Sequence, residues 1–161
     1  MRGTGLRIMI DLATELPRLL PRAIAWAEAE AAAAEESGKP LSANGVRLAR
    51  SVGVRYPERV RVVAGPSLPL PSDSELKVVA LETGLLGPGM AGLTLGYAIF
   101  IVAGHGSNRL ISHECRHVYQ FESAGSIAEF LPLYLQQIVS CGYEQAPYEV
   151  DARAHEIDRF C

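Results

Sequence analysis

Apolar residues recur at helical spacing most clearly in the last third of this chain. Ile127, Phe130, Leu131, Tyr134, Leu135 and Ile138 form one face of a helix spanning Ser126–Cys141. Pro132 falls inside that run and predicts a kink or a restart. Gly142 is a natural C-terminal cap, and Pro147 suits the first turn of the next helix. Upstream, no proline or glycine interrupts the stretch between Ser107 and Ala124. Leu110, Ile111, Val118 and Phe121 supply its apolar positions, with Ser112 or Asn108 as the expected N-terminal cap.

The first hundred residues are patterned differently. Asp11 to Ser37 reads as helix punctuated by Pro17 and Pro21, with Pro21 suited to a first turn. Its Ala23–Glu36 part has near-maximal helix propensity, yet Ile24 and Trp26 are its only large apolar groups. Gly38-Lys39-Pro40 stops it, and Ser42 or Asn44 caps a short helix that ends at Gly53. Arg59–Val63 alternates like a half-buried strand, followed by a proline-rich turn from Gly65 to Pro71. Glu75–Leu86 reads as helix, Gly87-Pro88-Gly89 as a sharp turn, and Leu93–Val102 as a strand. Gly96 allows that last strand to be bent or folded into a hairpin. The pattern predicts a helix-rich α+β fold with a small β-sheet. One domain covers 1–161, with a helical region at 1–58, a β-containing region at 59–104 and further helices at 105–161.

Composition narrows the partners more than the fold. The net charge is −3 and no basic cluster occurs, which argues against nucleic acid. Cys115, Cys141 and Cys161 match neither a disulfide framework nor a zinc knuckle, so a reducing, cytoplasmic setting is expected. Asp11 and Glu15 interrupt the apolar start Leu6–Ile10, against a signal peptide. Thr83–Gly104 holds no charged residue over 22 positions and is long enough to span a bilayer. Pro88 and six glycines make it a poor helix, and a buried β segment is the better expectation.

Chemistry is legible at His113-Glu114-Cys115-Arg116-His117. Histidines four apart on a helix share a face, so both imidazoles reach one ion, most often zinc. Glu114 is placed to take a proton from a water on that metal, whose pKa falls towards about 7. Cys115 points away from this face. A third ligand is needed, and Glu149, thirty-two residues after His117, starts the helix returned by the Ser126–Cys141 segment.

With that glutamate the chain resembles the gluzincin-type zinc metallopeptidases: HExxH, a returning segment, then Glu before an alanine at Ala152. It resembles more narrowly small bacterial metallopeptidase-like domains, through His113-Glu114-x-x-His117-x-x-Gln120 and Pro147-Tyr148-Glu149-x-Asp151-Ala152. The resemblance covers Thr94–Cys161 and implies a zincin-like active-site helix. It implies His113, His117 and Glu149 as ligands of Zn2+, Glu114 as general base, and a peptide or protein substrate. Related enzymes often carry an aspartate four residues after the ligand glutamate; Arg153 stands there in this chain, leaving the partner of the ligand histidines unassigned. The resemblance also implies that the strand before the metal helix is the wall for an extended peptide, with an interior strand as the alternative.

The expected activity is therefore zinc-dependent peptide hydrolysis. The alternative is a catalytically silent zinc-binding module acting as an assembly or regulatory partner. Oxyanion donors are expected among His105, Tyr143, Tyr148 and His155. The Ala23–Glu36 helix is either packed through its alanines or laid over the cleft with Glu28, Glu30, Glu35 or Glu36 at the metal.

Overall fold

The computed structural model describes residues 11–86 and 89–160. The expectations for Leu6–Ile10, the Gly87-Pro88 part of the turn and Cys161 lie outside the described residues. The architecture is α+β. Among the described residues, six α-helices surround a four-stranded mixed sheet: α1 Leu12–Ser37, β1 Lys39–Pro40, α2 Ala43–Ser51, β2 Arg61–Gly65, α3 Ser74–Glu82, β3 Gly92–Leu95, β4 Ala98–Val102, α4 Asn108–Ala124, α5 Ile127–Cys141 and α6 Pro147–Ala154.

The strand order is β1-β2-β4-β3, so β4 is interior and β3 lies at an edge. β2 runs parallel to β4, while β1–β2 and β3–β4 are antiparallel. The β3–β4 hairpin turns on Gly96 and Tyr97, with Gly96 at φ 63°. A positive φ at the first turn residue is the requirement of a II′ hairpin, which glycine meets without steric cost. The Leu93–Val102 run is thus a hairpin, and its second arm is the buried strand.

Alternation along β4 assigns the two faces of the sheet. Ile99 and Ile101 join Ala49, Val52, Cys115 and Val118 in the core beneath α2 and α4. Ala98 and Phe100 join Leu95, Ala27 and Ala34 in the core beneath α1. β4 is therefore apolar on both sides, as a strand sandwiched between helices must be. No helix among the described residues is long and apolar enough to cross a membrane.

Several details differ from the sequence expectation. α1 spans the expected length, capped by Asp11 accepting from the Ala13 amide, but Pro17 and Pro21 both lie inside one helix and Pro21 is not in a first turn. The hydrogen bonds that two prolines delete are outweighed by the packing of a 26-residue element. Pro132 likewise sits within an unbroken α5. Pro57–Arg59 forms a 3-10 turn, which delays the strand from Arg59 to Arg61 and extends it through Gly65. Ser107, not Ser112 or Asn108, caps α4 by accepting from the Leu110 amide at 3.2 Å. Ser42 is the cap of α2.

α1 packs as an ordinary helix. Ala27 and Ala34 are fully buried against the sheet, and Glu28, Glu35 and Glu36 are exposed. Arg22 ties it to Asp73, the N-cap of α3, at 3.0 Å. None of the glutamates of Ala23–Glu36 joins the His113, His117 and Glu149 group or lines the cavity beside it, although Ala23, Trp26 and Ala27 of α1 do line that cavity.

Candidate metal centre

α4 carries His113, Glu114 and His117; α6 carries Glu149. The helix is held in place from behind, because Cys115 and Val118 are fully buried in the core against β4. The opposite stripe then faces α5 and α6. α5 returns the chain, and Gly142, at φ 76°, releases it into the turn before α6. Ala146 has no side chain to cap α6, and Gln137 from α5 does so instead, accepting from the Tyr148 amide at 2.8 Å. Phe130 stacks on Tyr148 with centroids 5.0 Å apart, fixing α5 against α6.

The returning helix delivers Glu149, 2% exposed, between the two imidazoles. Its Oε2 lies 3.2 Å from His113 Nε2 and its Oε1 lies 3.2 Å from His117 Nε2. Ligands about 2.0–2.1 Å from a tetrahedral zinc stand about 3.3 Å apart, so these separations suit one ion shared by all three. The three ligand atoms lie within 4.8 Å of one another. Tyr134 donates its hydroxyl to Glu149 Oε1 at 2.8 Å.

The far sides of both rings settle which nitrogens face the cluster. His117 Nδ1 is 2.8 Å from Gln120 Oε1. The amide nitrogen of Gln120 is committed to the Tyr148 carbonyl and to Asp151 Oδ2, each at 2.9 Å. Its oxygen must therefore accept, and the His117 proton sits on Nδ1. His113 Nδ1 faces Glu156 Oε1 at 3.0 Å, and Arg109 holds the other oxygen of that carboxylate at 2.7 Å. Both Nε2 lone pairs are thereby aimed at carboxylate oxygens. Acceptors facing acceptors in a buried site need positive charge between them, supplied by a cation or by protons on the imidazoles.

The electrostatics express the same demand. Burial lowers the His117 pKa, but the Glu149 hydrogen bond and the Glu114 charge more than reverse this, raising it to about 9. His113 is raised by the same partners against its own burial. Burial raises the Glu149 carboxyl, and its two histidine partners carry it well below the usual carboxylate range.

Glu114 is buried beside this set without belonging to it. Thr94 on β3 donates its hydroxyl to Glu114 Oε2 at 2.6 Å. Gly92, also on β3, makes the room: a Cβ there would lie 2.8 Å from Glu114 Oε1.

The structure thus brings His113, His117, Glu149 and Glu114 together. Gln120 and Asp151 join them as supports, with Asp151 also bound by Arg116 at 2.8 Å. Glu156 holds the histidine nitrogen that no sequence position had been assigned to hold, and Arg153 turns to the Glu144 carbonyl instead. Of the oxyanion candidates, Tyr143 lines the cavity beside Glu149. His105 is exposed beyond β4, Tyr148 is stacked on Phe130, and His155 is bound to the Asp151 carbonyl. Glu156, Tyr134 and Thr94 carried no sequence signal of their own. Comparisons with protein-family models, curated proteins and solved structures return no match.

Proposed function

We propose that this protein is a zinc-dependent peptidase, with His113, His117 and Glu149 holding the metal and Glu114 acting as general base. The observation that carries the reading is a second carboxylate, Glu114, buried and hydrogen-bonded beside the three convergent residues yet separate from them. A site that only bound metal has no use for it. Zinc, when bound, supplies a Lewis acid that acidifies water and polarises a carbonyl.

The chain's own groups do the rest. Thr94 occupies Glu114 Oε2, leaving Oε1 to take a proton from the attacking water and return it to the departing amine. Tyr143, at the cavity beside Glu149, is the donor for the developing oxyanion. The edge position of β3 supports a peptide substrate. The Gly92↔Ile101 and Thr94↔Ile99 pairs alternate with the hydrogen-bonded pairs of the hairpin, so the amides and carbonyls of Gly92 and Thr94 point outward. An extended chain can pair with them independently of its sequence.

Metal analysis and a peptide-library assay test this together. Stoichiometric zinc is expected in the parent, loss of zinc after combined His113→Ala and Glu149→Ala changes, and zinc without turnover in Glu114→Gln. Equal turnover by Glu114→Gln and parent would remove Glu114 from the mechanism. Zinc retained by the double variant would remove the proposed centre.

A further inference from the structure

A cavity of about 140 Å³ opens from Glu114, His117 and Glu149 towards α1 and α3. Its polar groups gather at the end nearest the histidines. Beyond them the walls are Leu16, Leu19, Ala23, Leu76, Leu93 and Leu135. Trp26 also lines it, and its Nε1 is the one buried side-chain polar atom without a hydrogen-bond partner among the described residues.

These features restrict what can enter. A peptide main chain carries a donor and an acceptor at almost every residue, and burying them unpaired is unfavourable. Walls of leucine and alanine, with one indole N–H, cannot satisfy them. A side chain without polar atoms carries no such penalty. The volume is close to that of an apolar protein cavity of about 150 Å³ that accommodates benzene. The cavity is also continuous with the metal-binding residues, so whatever fills it lies next to the reacting bond.

Building on the peptidase reading, we infer that this cavity is a specificity subsite. It takes one phenylalanine- or leucine-sized side chain from the residue beside the cleaved bond, while the substrate main chain stays outside along β3. Ala23 sets the room available, since a larger group there projects into the same space. Leu76 sets its depth.

Trp26 is the sole tryptophan of the chain and stands in the wall, so its fluorescence reports occupancy directly. N-acetyl-4-bromophenylalaninamide, whose bromine quenches indole emission, is titrated into the full-length protein with zinc added. Saturable quenching is expected. N-acetyl-phenylalaninamide and N-acetyl-leucinamide should reverse it at concentrations at least tenfold below N-acetyl-alaninamide. Ala23→Phe should weaken the brominated probe at least tenfold, with circular dichroism and zinc content as in the parent. Leu76→Ala should shift preference at least fivefold towards the naphthylalanine analogue, and it decides the matter if Ala23→Phe does not fold.

Absent quenching, competition by alanine at equal concentration, or a folded Ala23→Phe variant that binds as the parent does would overturn the inference. Binding is read without turnover, so the two readings fail separately. Intact size selection in a protein without hydrolytic activity leaves the subsite standing and removes the peptidase. Zinc-dependent turnover indifferent to side-chain size does the reverse.

Discussion

The two faces of the sheet are built to different tolerances. Beneath α4, Ile99, Ile101, Val52, Val118 and Cys115 are 0–5% exposed and interlock around one another. Beneath α1, Leu95, Ala98 and Phe100 of the sheet meet Ala27 and Ala34, small helix groups that bring backbones close but fill little space. The α1 side accordingly retains a cavity. The proposed ligand positions require tenths of an ångström, and α4 is bedded on the tightly packed side. The space that the proposed reading gives to a substrate is left on the loose side. The difference assigns precision to one face and capacity to the other.

The strongest way to break this comparison is to remove the same amount of side chain from each face. Ile99→Ala deletes a fully buried group from the tight core and should cost about 2–5 kcal/mol of stability. Leu16→Ala removes atoms that already border the cavity, so fewer packing contacts are lost, and the cost should fall below about 2 kcal/mol. Urea unfolding of both variants checks it. Equal losses would mean that the α1 face is packed as tightly as the other, and the division of labour would not hold.

The next effect sharpens the tight side. Glu156 holds His113 Nδ1 and is itself held by Arg109. Glu156→Gln keeps the shape but replaces an ionised acceptor with an amide, weakening the hold on the ring. Zinc affinity should fall about 10–100-fold, as is usual when such a partner is lost. Competition against a calibrated chelator measures it. An unchanged affinity would show that bedding on the core alone orients His113.

The same division explains what could be read from sequence. The histidine pair and its neighbour Glu114 were legible because a helix converts spacing four into one face, a purely local rule. Glu149 was legible because α5 has a clear stop at Gly142 and α6 a clear start at Pro147. Glu156 was not, since it lies past the end of α6 and reaches His113 only through the tertiary return of the chain. Tyr134 was counted as an apolar position because the helical period reports burial, not what a hydroxyl finds there. The strand at Arg61–Gly65 was displaced because Pro57 supports a 3-10 turn that consumes Arg59. The cavity left no trace at all: alanines and leucines look alike whether their neighbours fill the space or not.

A final expected effect is a pH dependence of zinc binding. In chelated protein the His117 pKa is raised to about 9 by Glu149 and Glu114 against the opposing effect of burial. A raised pKa means that the protonated ring is favoured by folding. That contribution is complete below an unfolded histidine pKa of about 6.5 and is lost as pH rises through about 9. Zinc needs the neutral ring, so it must displace the proton anywhere below that value. Each displaced proton adds at most about 1.4 kcal/mol of apparent affinity per pH unit. The zinc-induced rise in Tm should therefore grow steadily from pH 6.5 to 9 and level off above. Calorimetric zinc titrations at pH 7.5, in buffers of different ionisation enthalpy, should count at least one proton released per zinc. Release near zero would mean that His117 is already neutral there, and that Glu149 is held by the tyrosine and the fold without a protonated imidazole.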